Sequence, residues 1–388
     1  MDFGLSDEQR MILATVRDFV TRELVPLEAE VQRGELEGRK FPDRPALRRL
    51  QEKARAAGLW GLLTPEEYGG ASLGFLMTAL ITMETSRALV PFTYGGVADN
   101  ILYRCTAEQK EHYLLPLIQG DRVSCFALTE PDTGSDATNI KMPAVRDGSN
   151  WVLNGQKVFI TNGAEADFAI VFAVTDRDKG HKGGVTAFLV DRSMGWTSRP
   201  IQTMGSWGPA ELSFDDVRVP GENVLGDVGN GFLLAMEWIG QGRLLIPARA
   251  VGQAQRLLEM ALEYARQRVA FGRPIAEYQA IQWMLADSAV EIEEVRWLVL
   301  HAAWKADRSP DARHEVSMAK LAGAEMIWRV VDRVMQIHGG LGYTKEMAIE
   351  RVMRDVRVYR IYEGTDEIQR RSIARNLLSQ KARIGSWA

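Results

Sequence analysis

Cysteine is nearly missing from this 388-residue chain: Cys105 and Cys125 are the only two, too few for a disulfide framework and not spaced as a CxxC metal pair. A reducing compartment suits such a composition. Histidine is also thin, with His112, His181, His301, His314 and His338 scattered and no HExxH spacing, so no metal is expected. No run approaches the roughly 18 apolar residues of a membrane span, so none is expected. The opening MDFGLSDEQRMILATVRDFV carries acids, unlike a basic-then-apolar signal peptide or an arginine-rich transit peptide, and the cytoplasm is the expected location. Positive charge is not in excess either: 47 basic residues against 51 acidic give a net charge of −4. A protein that tracks nucleic-acid phosphates needs a basic face, so nucleic acid is not an expected partner. Glycine-rich GDVGNG (226–231) and HGGLG (338–342) lack the GxGxxG spacing after a strand, and no βαβ alternation accompanies them, which excludes a Rossmann domain. Repeats and low-complexity segments are absent.

What is present is a composition of 46% hydrophobic and 25% charged residues, over a length that fits two or three domains. The apolar period changes twice. In the first block Met11, Ile12, Val16, Phe19 and Val20 form a helical stripe, and Ser6 with Gln9 and Thr106 with Gln109 read as capping boxes. In the second, NWVLNGQKVFIT places Asn154-Gly155 between two short strands, a hairpin signal, and FAIVFAV, VTAFLV and ELSFDDVRV follow as further strands. In the third the helical period returns, with Val251, Ala254, Leu258, Ala261 and Ala265 on one face, and two more long stripes suggest an antiparallel bundle. The expected class is α+β: a helical N-terminal domain (1–122), a middle antiparallel β-barrel or sandwich (123–231) and a C-terminal four-helix bundle (232–388).

Four segments offer chemistry, each beside a plain structural reading. Gly339-Gly340 after a helix is either an ordinary helix end or a bare backbone that approaches a pyrophosphate. CFALTEPDTGSDATNI (125–140) is either a turn or a strand end with hydroxyls and amides that hold a polar heterocycle. RQRVAFGRPIAEYQAIQ (266–282) is either a solvated helix end with a buried Phe271 or a place where Arg268 grips a phosphate. Glu363, in YRIYEGTDEIQR, is either a surface carboxylate paired with Arg360 or Arg370, or a base projecting from the junction that Gly364-Thr365 makes between two helices. Local chemistry alone leaves all four open. Gly95-Gly96 reads locally as a helix start.

CFALTEPDTGSDA, LNGQKVFITNG, RVAFGRPIAEYQAIQ and QIHGGLGYTKEMAIERVMRDVRVYRIYEGTDEIQR, in this order and over essentially the whole chain, resemble the acyl-CoA dehydrogenase family. The resemblance implies an FAD enzyme, a homotetramer built as a dimer of dimers, that oxidises an acyl-CoA thioester to the trans-2-enoyl-CoA. It implies that Glu363 removes the α proton while the β hydrogen leaves as hydride to flavin N5, with electrons passed to an electron-transferring flavoprotein. It further implies two hydrogen bonds to the thioester carbonyl, from the backbone N–H of Glu363 and from the flavin ribityl chain.

By the same resemblance Phe126, Leu128, Thr129, Gly134 and Ser135 lie beside the flavin, and Phe159, Ile160 and Thr161 pack on its ring. Arg268, Phe271 and Gln279 reach the FAD of a neighbouring subunit. Gln336, Gly339 and Gly340 cradle its diphosphate, and Thr365 and Glu367 complete the wall. Ser135, Arg243 and Gly364 are placed against the substrate. Some relatives carry the base at the position of Gly242, which cannot abstract a proton. The resemblance also sets Gly95-Gly96 in the region that lines the acyl pocket, which the pair would deepen. The chain departs from the family in Phe159, where many relatives have tryptophan, in Gly240, and in MGSWGPAELSF (204–214) with its Trp207. A flavin oxidase or monooxygenase on the same fold, and a non-catalytic assembly protein, are the competing functions.

Overall fold

The computed structural model describes residues 4–39, 41–206, 208–309 and 311–382, apart from the Gln241 side chain; Trp207 therefore lies outside the described residues. Helices α1 (Asp7–Phe19), α2 (Glu28–Leu36), α3 (Arg44–Ala56) and α4 (Phe75–Thr85) open the chain, and α5 (Ala107–Gln109) and α6 (Leu115–Gln119) flank a π turn. Both capping boxes form, with the Ser6 and Thr106 hydroxyls accepting from the N–H of Gln9 and Gln109. Val16, Phe19 and Val20 are buried as their spacing suggests, whereas Met11 faces outward. Gly95 and Gly96 start no helix; they lie in a loop at positive φ, and a side chain on either would run into the Trp60 indole.

Eight strands follow: β1 (Ser124–Ala127), β2 (Ala144–Asp147), β3 (Asn150–Ile160), β4 (Phe168–Val174), β5 (Val185–Asp191), β6 (Thr197–Pro200), β7 (Ala210–Pro220) and β8 (Val224–Leu225). They form two four-stranded sheets, in the orders β1-β4-β5-β8 and β2-β3-β7-β6. The sheets face one another over a core that includes Trp151, Leu153, Val171, Phe188, Phe214 and Val219. The first sheet is buried on its other face too, where Phe168, Ile170 and Phe172 meet Ile101, Leu114 and Leu234 from the helices. That double burial explains why FAIVFAV is apolar at every position, while β3 and β7 alternate. One pair departs from the antiparallel expectation: β1 runs parallel to β4.

The Asn154-Gly155 hairpin does not exist. β3 passes through both residues, and the chain reverses earlier, between β2 and β3, where Gly148 has a φ of 61°. Asn154 instead clasps a bulge in β7: its Nδ2 donates to Asp216 Oδ1 at 2.8 Å and its Oδ1 accepts the Asp216 N–H at 2.8 Å. A tertiary partner across the sheet thus claimed the residue that local turn chemistry pointed to.

The chain closes with α7 (Gly231–Gln267), a two-stranded hairpin of β9 (Val269–Ala270) and β10 (Arg273–Pro274), α8 (Gln279–Ala306), α9 (Arg313–His338), α10 (Gly340–Tyr343), α11 (Ala348–Val356) and α12 (Asp366–Leu378). Val251, Ala254, Ala261 and Ala265 are buried in the bundle core together with Leu257, while Leu258 is only partly buried. Gly323 of α9 lets α7 approach closely, since a Cβ there would lie 2.6 Å from Pro247 Cβ. Helix α11 ties the three regions together. Asp355 accepts the Ser206 N–H at 2.6 Å, Arg354 donates to Met204 O at 2.8 Å and pairs with Glu35, and Arg351 donates to Leu89 O at 2.8 Å. The segment leading to Glu363 therefore starts from a fixed helix.

Inside the β region lies a fully buried ion pair. Lys157 Nζ donates to Glu130 Oε1 at 2.8 Å and to Leu128 O at 2.9 Å, and the Glu130 carboxylate also accepts the N–H groups of Lys141 and Met142. Burial lowers the Lys157 ammonium to about 8. Removal of one partner strands the other charge. Lys157→Met should cost about 3–5 kcal/mol in urea unfolding, and adding Glu130→Gln should recover much of it; no loss in the single variant would remove the pair from the account.

Candidate active site

Glu363 sits at a break between two helical segments. The 3-10 turn Arg357–Arg360 ends, Glu363 takes a φ of 54° and Gly364 one of 86°, and Thr365 caps α12 by accepting the Ile368 N–H. A left-handed backbone is uncommon for a residue with a Cβ and costs of order 1 kcal/mol or more. Side chains from three helices hold the turn in that shape. Arg243 Nε of α7 donates to Glu363 O at 2.9 Å. Lys320 Nζ of α9 donates to Gly364 O at 2.7 Å. Gln369 Nε2 of α12 donates to both carbonyls, at 3.0 and 3.1 Å.

The carbonyls are taken, but the functional groups are not. Glu363 Oε2 is shut off from solvent without a hydrogen-bond partner, and among the described residues the Glu363 N–H donates to nothing. Arg360 and Arg370, the candidate ion-pair partners, are engaged elsewhere: Arg360 holds Asp366 at 2.6 Å and Arg370 pairs with Glu325. The surface-pair reading of Glu363 is thereby corrected. Gly242 of α7 faces the carboxyl, since a Cβ there would lie 2.9 Å from Glu363 Oε1.

Burial dominates the electrostatics. It pushes the Glu363 carboxyl up to about 7, against the opposing pull of Arg243 and Lys320. It also pulls Lys320 down to about 8 and lowers the Arg243 guanidinium. A carboxyl in that range is a usable base at neutral pH.

Around this turn the other candidates fall into separate groups. Phe126 on β1 stacks on Trp238 with centroids 3.9 Å apart, Leu128 is buried, and Thr129 O accepts the Val158 N–H at 2.9 Å, so this segment is fastened to β3. Gly134 and Ser135 are exposed on the turn that follows. On β3, Ile160 is buried, while Phe159 at φ 58° and Thr161 point outward. Arg268 ends α7, Phe271 forms the hairpin tip and Gln279 starts α8; all three are exposed, and Phe271 is 97% accessible, not buried. No hydrogen bond or ion pair links these three to Glu363 among the described residues. Gln336, Gly339 and Gly340 are exposed at the end of α9, and Glu367 is exposed on α12.

These groups suit a large flat cofactor. A Cβ on Gly134, Gly339 or Gly340 would meet no protein atom within 4 Å, so bare backbone faces open space, and the Phe159 and Phe271 rings are uncovered by their own chain. No group of three or more His, Cys, Asp or Glu side chains suits a metal, and no helix is long and apolar enough to cross a membrane, among the described residues. Lys320 and Gln369 escaped the reading of the sequence. Lys320 had one signal, a lone charge inside the stretch VSMAKLAGA (316–324).

Comparison with known proteins agrees over the whole length. Residues 6–121, 125–217 and 229–378 match the N-terminal, middle and C-terminal domains of acyl-CoA dehydrogenase. The chain is 40% identical over 385 residues to the short-chain specific acyl-CoA dehydrogenase of human mitochondria, covering 96% of this chain and 91% of the relative. It superposes on butyryl-CoA dehydrogenase from Megasphaera elsdenii with a TM-score of 0.85 at 36% identity, covering 97% and 100%. A chain from the electron transferring flavoprotein study of Acidaminococcus fermentans, directed at flavin-based electron bifurcation, superposes with a TM-score of 0.86 at 37% identity, again covering 97% and 100%.

The shifted carboxyl makes stability depend on pH in a definite sense. An acid held above its unfolded value stabilises the fold when protonated; the contribution is full below about 4.5 and is lost as pH rises through about 7. Glu363→Gln should therefore gain stability over the parent as pH rises, by up to about 3 kcal/mol at pH 8.5 relative to pH 4.5. Urea midpoints at the two pH values test this; an equal difference at both would contradict the buried-carboxyl assignment.

Proposed function

The chain belongs to the acyl-CoA dehydrogenase family, and from that premise we propose that Glu363 is the base that begins the oxidation. The family is flavin-dependent, and the protein is an FAD oxidoreductase acting on the CH–CH bond of an acyl-CoA. What carries the proposal is a single feature: a carboxyl raised to about 7 whose own N–H, on the same residue, is free to donate.

The α proton of a thioester is too weakly acidic for an exposed carboxylate to remove unaided. The Glu363 N–H, aimed at the thioester carbonyl, stabilises the enolate-like charge that grows there, and a preorganised donor in a water-poor site is worth more than one in solution. The carboxylate takes the α proton. Arg243, Lys320 and Gln369 keep the N–H and the carboxylate aligned by holding the carbonyls of the turn, so both act on one carbon and its neighbouring oxygen. FAD, when bound, supplies at N5 the acceptor for the hydride that leaves the β carbon, and a trans-2-enoyl-CoA results.

Phe126, Leu128, Thr129, Gly134, Ser135, Phe159, Ile160 and Thr161 form the flavin wall in this reading, with Gln336, Gly339, Gly340, Thr365 and Glu367. Arg243, Gly364 and Ser135 meet the substrate. Arg268, Phe271 and Gln279 serve the FAD of a neighbouring copy, within a homotetramer whose domains span 1–122, 123–231 and 232–388. Exposed Phe271, Trp283, Val290 and Trp297 support self-association, since apolar groups of this size on one helical arm favour cover. An electron-transferring flavoprotein receives the electrons, in the cytoplasm.

Glu363→Gln should keep yellow FAD and bind acyl-CoA, yet reduce its flavin roughly 10²–10⁴-fold more slowly in anaerobic stopped flow. Near-normal reduction would sink the base assignment, and hydrogen peroxide at turnover rates in the parent would favour an oxidase. Arg268→Ala should weaken FAD retention in ultrafiltration; unchanged affinity would count against its cross-subunit role.

A further inference from the structure

We propose that the acyl group carries a carboxylate at its end remote from the thioester, and that Arg249 receives it. The proposal deepens the reading of Glu363 as the base and rests on it. On α7, Gly242, Ile246 and Arg249 stand at i, i+4 and i+7, one stripe of the helix. Gly242 is the member of that stripe that faces the Glu363 carboxyl. Arg249 therefore lies on the same face about 10 Å further along. A second route joins the two residues. Tyr362 immediately precedes Glu363 and stacks on Tyr359, with centroids 5.9 Å apart and planes at 14°, and these two phenols are the groups with which Arg249 interacts.

Arg249 is accessible, and it meets protein on one side, where the buried Tyr359, 5% exposed, lies against it. Several arginines in the interior have acids beside them: Arg351 has Asp355 and Glu35, Arg256 has Glu28, and Arg87 has Glu84 and Glu259. Arg249 has no ion pair among the described residues. The phenols support it only as neutral dipoles, through a hydrogen bond with Tyr359, since burial pushes both Tyr359 and Tyr362 above their ordinary range and keeps them neutral, so its charge has no anionic partner among the described residues.

A hydrocarbon tail driven against a guanidinium with no acid beside it would strip its water and give nothing back. A terminal carboxylate supplies the planar, bidentate partner that the guanidinium fork fits. The resulting substrate class is the CoA monothioester of a dicarboxylic acid, with the thioester end at Glu363 and the free acid at Arg249. Tyr359, whose hydroxyl donates to Gln253 Oε1 at 3.0 Å, backs the guanidinium and fixes where that end stops.

The test pairs five-, six- and eight-carbon dicarboxylic monothioesters of CoA with the straight-chain thioesters of equal length, read by anaerobic flavin bleaching of the holoenzyme. Binding of each to the Glu363→Gln protein is read in parallel by calorimetry. At one length or more the dicarboxylic thioester should be preferred at least tenfold in both measurements, and Arg249→Gln should reduce that preference by roughly 100-fold. Arg249→Lys, which keeps the charge without the fork, should fall between and guards against loss of fold in the first variant. Preference for the uncharged tail at every length, or a preference unchanged by Arg249→Gln, overturns the proposal. Retained dicarboxylate binding without any bleaching would overturn the Glu363 base instead.

Discussion

Three donors on two carbonyls hold the centre of this molecule together. The carbonyl oxygens of Glu363 and Gly364 receive Arg243 from α7, Lys320 from α9 and Gln369 from α12. Without them the turn would pay for a left-handed glutamate with nothing to over-determine it. With them, the turn holds a left-handed glutamate whose Oε2 and N–H both stay without a partner among the described residues. The long helices of the bundle matter chiefly as the frame that delivers the three donors, and α11, tied to both other regions, delivers the turn itself.

The same economy of buried charge recurs away from Glu363. Lys320 and Lys157 are fully buried lysines, each spending its ammonium on a carbonyl oxygen of a segment that must not move. Lys157 is balanced by Glu130, which in turn holds the N–H groups of Lys141 and Met142 and so fastens both ends of the turn bearing Gly134 and Ser135. Lys320 is balanced more loosely, with the fields of Asp366, Glu363 and Glu367 opposing its burial. Arg249 differs from both, with no acid beside it among the described residues and only the neutral phenols of Tyr359 and Tyr362 as partners.

The order helix, sheet, helix was legible because the apolar period changes sharply at each boundary, and doubly buried β4 announces itself as an unbroken apolar run. Both capping boxes were legible because their partners lie three residues apart. Asn154-Gly155 misled because its partner, Asp216, is 62 residues away and no local signal reveals it. Phe271 misled in the opposite sense: an aromatic flanked by basic residues reads as a local core contact, but the turn carries it outward. At the site, Glu363 stood out through its motif, while Lys320 and Gln369 did not, because what they do depends on which carbonyl each reaches. Arg243, on the motif side, touches Glu363 across 120 residues. Arg249 belongs to no motif, and only the register of α7 against Gly242 sets it on the face that meets Glu363.

The account turns on one claim, that burial in a pinned turn brings the Glu363 carboxylate into the neutral range, where it can take a proton from carbon. The pH dependence of the second-order rate constant for anaerobic flavin reduction reports the ionisation of the free enzyme's base most directly. The rate should climb about tenfold per pH unit below a break near 7 and level off above it. A break near 4.5, or a flat profile between pH 5 and 8, would contradict the claim.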